Sequence, residues 1–165
     1  MTEERKRPRP DDYFSDWKQR EALAESMIPV VGRLSRERNV KSYIYGRSLV
    51  NQSVLDIMKI HRWVRQMEDN ELSEFETTPV LNAVSSLGLG PCHLDIGRLA
   101  VAYFDKGAGA GLSLEEYVSR ELDHLIGSTH KPVDAPVDVV LYGFGRIGRL
   151  MARILIAKTD GGDSL

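Results

Sequence analysis

One cysteine, Cys92, stands among 165 residues, so no disulfide can close within a single chain and a stapled secreted fold is excluded. Long apolar runs are missing too. No stretch approaches the ~20 residues of a membrane helix, and Met1 to Asp12 is charged and proline-bearing where a secretory leader would be apolar. Both absences lead us to expect a cytoplasmic chain with no membrane contact. Charge of one sign is equally scarce: 22 Lys and Arg face 24 Asp and Glu, leaving a net charge of -2 and no field that recruits nucleic acid. The local exception, Arg5, Lys6, Arg7 and Arg9, is neutralised by Glu3, Glu4, Asp11 and Asp12 and reads as a solvated, disordered tail over residues 1–12. Metal chemistry lacks its spacing as well. His124 and His130 stand in no ligand pattern with each other or with Cys92, and His61 lies on an apolar helical face as a packed histidine does.

What is present is the balance of an ordinary folded protein, 42% hydrophobic and 28% charged. Apolar residues recur at helical spacing from Ser15 to about Arg38 (Trp17, Leu23, Met27, Val31, Leu34), with Pro29 expected to kink or split the helix. Val40 to Gly46 favours an extended or irregular connection. A second helix is predicted from Ser48 or Asn51 to Met67, with Val54, Ile57, Met58, His61 and Val64 on one face. The acidic stretch Glu68 to Thr77 reads as a loop. Thr78 then reads as an N-cap, with Pro79 first in a short helix that Gly88 ends. Leu94 to Phe104 suits a helix, with a strand at Val101 to Phe104 as the alternative. Ser113 and Glu116 form a capping box that opens the clearest helix, closed by Gly127. Pro132 and Pro136 mark a linker over residues 128–136. The expected organisation is therefore a helical domain over residues 13–127 and a second domain over residues 137–165.

The second domain carries the chemistry. Val137, Val139, Val140, Leu141 and Tyr142 form a β-rich run, followed by Gly143-Phe144-Gly145-Arg146-Ile147-Gly148 and then by the apolar face of Ile147, Leu150, Met151, Ile154 and Leu155. Strand, glycine turn and helix in that order are the start of a dinucleotide-binding Rossmann unit. Gly143 permits a sharp turn, Gly145 leaves no Cβ in the path of a pyrophosphate, and Gly148 allows close helix packing. Unpaired amides of the first helical turn, at the positive end of the helix dipole, supply the anion site.

The string Gly143 to Arg149 resembles the N-terminal signature of glyceraldehyde-3-phosphate dehydrogenases, including Phe144, Arg146, Ile147 and Arg149 outside the bare glycine pattern. The resemblance implies that the backbone of Phe144, Gly145, Arg146 and Ile147 contacts the pyrophosphate of NAD, with NADP not excluded. One departure is Tyr142, where the family usually carries Asn. The preceding helices, through Ile44 to Asn51, resemble the N-terminal extension of longer bacterial members. The implied fold is mainly α: a helical extension followed by the first strand, turn and helix of an incomplete α/β Rossmann domain.

Other pieces of that enzyme have no match. The acidic ribose ligand expected ~20 residues beyond the glycines falls past Leu165, since Asp160 and Asp163 precede any second strand. Cys92-His93 cannot act as nucleophile and base, because adjacent side chains diverge. Gly107 to Gly111 lacks phosphate-loop spacing. The chain thus reads as the leading, inactive part of a dehydrogenase whose partners are a dinucleotide and, in a complete enzyme, a sugar phosphate. The alternative is a helical interaction or oligomerisation module. The lone strand predicted at Val137 to Tyr142 further implies pairing between chains, docking on the helical part, or exposure.

Overall fold

The stripe that runs through Met27, Val31 and Leu34 forms α1 (Pro10–Arg38), the longest helix of the computed structural model, which describes residues 10–128 and 139–158. Pro29 does not split it. The proline is exposed, so its missing amide forfeits one bond toward the Glu25 carbonyl while Ala24, Met27, Val31 and Leu34 stay buried on the opposite side. The helix also begins earlier than the tail expected over residues 1–12 allows. It takes in Pro10 to Asp12, and the rest of that tail lies outside the described residues.

The connection expected to be extended or irregular is extended, and it forms the centre of a sheet. β1 (Val40–Ile44) pairs antiparallel with β2 (Arg47–Ser48) and parallel with β3 (Cys92–Asp95), in the order β2-β1-β3. A two-residue turn joins β1 to β2, with φ of 48° at Tyr45 and 77° at Gly46. Both residues need positive φ to match the strand twist, and a tyrosine seldom goes there unaided. Asp95 holds the turn in place. Its carboxylate accepts the Tyr45 and Gly46 amides at 3.1 Å each, and it caps the next helix through the Arg98 amide at 3.0 Å.

α2 (Val54–Val64) is shorter than predicted because Ser53 caps it, accepting from the Asp56 amide. α3 (Glu74–Ser86) corrects the reading of Thr78 as an N-cap. Ser73 starts this helix through a capping box with Glu76, so Pro79 falls within the helix, and Glu74 and Glu76, expected on a loop, are buried. The stretch read as helix from Leu94 divides between β3 and α4 (Ile96–Phe104), with Asp95 the residue where one becomes the other. α5 (Leu114–Glu121) carries the predicted Ser113 and Glu116 box but ends before Gly127. A 3-10 turn (Asp123–Leu125) and Gly127 at φ 66° follow it. The Gly127 amide then bonds the Gly88 carbonyl, beside a bridge between Leu89 and Ile126.

The chain divides into two units, Met1–Ser128 and Thr129–Leu165. Among the described residues the buried apolar core, from Ala24 to Leu122, lies in the first, with Ile44, Ile57, Leu81, Ile96 and Tyr117 among its least exposed members. The second unit holds α6 (Arg146–Lys158). The strand predicted over residues 137–142 is not formed where it can be judged. Residues 139–142 join no ladder, and residues 137 and 138 lie outside the described part. A strand is defined by a partner's hydrogen bonds, and no neighbouring strand is supplied to this one among the described residues. Exposure, one of the three outcomes expected for this segment, is what Val140 and Tyr142 show.

Candidate functional site

The glycine turn enters α6 as its sequence demands. Gly143 takes φ of 99°, in the region that glycine adopts freely. The first intrahelical bond runs from the Arg149 amide to the Gly145 carbonyl at 3.0 Å. The amides of Arg146, Ile147 and Gly148 therefore precede the hydrogen-bonded ladder and lack intrahelical partners. Phe144, Arg146 and Ile147 are exposed, and a Cβ built on Gly145 meets nothing within 4 Å. Open space over a bare backbone, beside free amides at a helix N-terminus, suits a phosphate-bearing group.

Gly148 is held glycine by the backbone of the turn itself. A Cβ there would overlap the carbonyl oxygen of Gly143, so the start of the turn folds back over the first turn of α6. The sequence grouped Gly143, Phe144, Gly145, Arg146, Ile147 and Gly148 as one site, and the structure brings all six onto the same turn at the head of α6.

Cys92 and His93 do not form a catalytic pair. Cys92 is half-buried on β3, and burial pushes its thiol above the ordinary range, away from the reactive thiolate. His93 is exposed, with its ring 5.5 Å from that of Tyr43. Among the described residues no group of three His, Cys, Asp or Glu side chains could hold a metal, and no helix is long and apolar enough to cross a membrane.

A second polar constellation went unread in the sequence. His61, 1% exposed on α2, bonds the Ile57 carbonyl through Nδ1 at 2.8 Å and Thr77 Oγ1 through Nε2 at 2.7 Å. A carbonyl only accepts, so Nδ1 carries the proton and Nε2 accepts from the threonine. Burial pushes the histidine down to about 4, which agrees with that neutral tautomer. Glu74, equally buried at the start of α3, lies 3.6 Å from Nδ1 through Oε1, too far for a hydrogen bond. Its own burial pushes it up to about 7, against the opposing pull of Arg20. The contact is therefore not an ion pair near neutral pH. The legible signal was the capping box of Ser73 and Glu76, which places Glu74 in the first turn of a helix instead of on a loop.

No protein-family model matches the chain. It is 49% identical over 141 residues to a glyceraldehyde-3-phosphate dehydrogenase-like protein of Pseudomonas aeruginosa (strain UCBPP-PA14). The chain is a relative of that protein. The match takes in 84% of this chain and 30% of the relative, so the chain spans less than a third of the relative's length. Thr129–Leu165 is far too short to hold a match of 141 residues. The helical unit therefore carries most of the likeness to the relative.

Proposed function

We propose that Gly143 to Gly148 is the pyrophosphate cradle of an NAD site, and that this chain corresponds to the N-terminal part of an NAD-dependent dehydrogenase of the glyceraldehyde-3-phosphate type. The observation that carries the reading is the turn itself. The amides of Arg146, Ile147 and Gly148 precede the helical ladder, the space beside the Gly145 Cα is open, and Gly143 and Gly148 are held glycine by φ and by close approach. The named relative supports it, and supports a nicotinamide dinucleotide in general. NAD, when bound, accepts hydride from an aldehyde phosphate in a complete enzyme of this type. The residues of this chain bind and orient the diphosphate. The adjacent pair Cys92 and His93 supplies no nucleophile and base to the reaction, because the Cys92 thiol is held protonated and His93 diverges from it. The same cradle admits NADP, since the 2′-phosphate is read outside it. The sugar-phosphate substrate belongs to the complete enzyme, and the apolar face of α6 is the surface by which this part docks on the remainder or on a sister chain.

Titration calorimetry tests the cradle. The chain should bind NAD weakly and without turnover, because one turn offers amides to the diphosphate but no pocket for adenine or nicotinamide. Gly148→Ala should abolish that binding while the melting of the helical unit stays unchanged. Full affinity in Gly148→Ala would remove the cradle, and dehydrogenase turnover by this chain would remove its incompleteness.

A further inference from the structure

The helical unit contains a cavity of about 570 Å³ between the N-terminal half of α1, the C-terminal end of α2 and the start of α3. That volume suits a small organic ligand. Its floor carries a buried acceptor: the Glu74 side chain is 2% exposed, and its Oε2 has no hydrogen-bond donor among the described residues. The nearest cation, Arg20 Nη1, stands 3.7 Å from that oxygen and is shared with Glu71 at 3.2 Å, while Arg20 Nε meets Asp16 at 2.8 Å. Arg20 is therefore neutralised and offers little to a ligand. A buried carboxyl oxygen without a donor is costly, and an incoming N–H would relieve that cost.

The walls differ from the floor in chemistry. Tyr13 and Trp17, one helical turn apart on α1, line one side with half-exposed aromatic surface. Arg62 and Arg65, three residues apart at the end of α2, line another side and are exposed. Neither arginine has an acidic partner among the described residues. Such a cavity offers a flat apolar wall for a ring, one buried acceptor for a ring donor, and two free guanidinium groups for an anion.

We propose that this cavity binds a planar organic anion of the nucleoside monophosphate class, with its base on Trp17 and Tyr13, a base N–H donated to Glu74 Oε2, and its phosphate on Arg62 and Arg65. The residues that line the site all belong to the helical unit, and none is part of the glycine turn.

The full-length chain titrated calorimetrically with guanosine and adenosine monophosphates, and with inorganic phosphate as a control, tests this. At least one nucleotide should bind saturably, and inorganic phosphate should not displace it at equal concentration. Arg62→Ala combined with Arg65→Ala, and separately Glu74→Gln, should each weaken binding by about tenfold or more. Gly148→Ala should leave it intact, which distinguishes this site from the cradle. Should Glu74→Gln lower the melting temperature, the double arginine variant carries the test, since both side chains are exposed. The proposal fails if neither nucleotide binds, if inorganic phosphate competes equally, or if binding survives the arginine substitutions and disappears in Gly148→Ala.

Discussion

His61 and Glu74 exchange roles on folding, because burial lowers one to about 4 and raises the other to about 7. In the unfolded chain between about pH 4.5 and 6.5 the imidazole carries a proton and the carboxylate does not; in the folded chain the reverse holds. The raised Glu74 contributes stability at low pH that is lost as pH rises toward 7. The lowered His61 contributes stability above about 6.5 that is lost as pH falls toward 4. The two slopes cancel in between, so this pair should leave urea-unfolding stability nearly flat across that window. Glu74→Gln leaves the histidine slope uncompensated, and stability should rise by about 2–3 kcal/mol from pH 4.5 to 6.5. A profile as flat as that of the parent would show that His61 is protonated in the fold. Gly97 gives a simpler residue-scale expectation. A Cβ there would come within 2.9 Å of Ile44 Cγ2 and 3.3 Å of Ile44 Cα, so Gly97→Ala should cost about 1–3 kcal/mol, read as a lowered denaturation midpoint.

At the scale of elements, caps decide where helices begin. Ser73→Ala should destabilise by about 1 kcal/mol, because the serine is half of the box that starts α3. Pro29→Ala should have the opposite sign. The proline sits exposed within a continuous α1, and alanine restores an amide, so thermal melts should show a gain of about 1–3 kcal/mol. The same logic explains what the sequence made legible. The stripe of α1, the box at Ser113 and the glycine turn are local signals, each complete within a few residues, and each appears in the fold. The extended form of β1 was among the readings of its sequence, but its pairing with β3 was missed because it joins Val40 to Cys92 across two intervening helices, and a four-residue strand shows too little periodicity alone. The Thr78 misreading came from two competing N-terminal signals. A proline at a first helical position is a statistical preference, whereas the reciprocal bonds of Ser73 and Glu76 satisfy two amides at once. The capping box gives the helical position of Glu74, but its burial was unreadable, since nothing near it in the chain announces that α1 and α2 will cover it.

For the molecule as a whole, the location of the core separates the two units. Among the described residues every buried apolar side chain lies between Ala24 and Leu122, so a chain ending at Ser128 should unfold cooperatively, with a calorimetric enthalpy matching the van't Hoff value. A broad transition without that agreement would mean that the helices depend on the second unit. α6 is placed differently. Ile147 is 78% exposed and Leu150 56%, with Met151 and Ile154 alongside, and no described residue of its own unit covers them. Protease challenge should register this contrast as an order of events. Cleavage in the glycine-turn segment would come early and leave a resistant helical remnant, whereas a ligand or neighbour that shields the α6 stripe would make the whole chain digest at one rate.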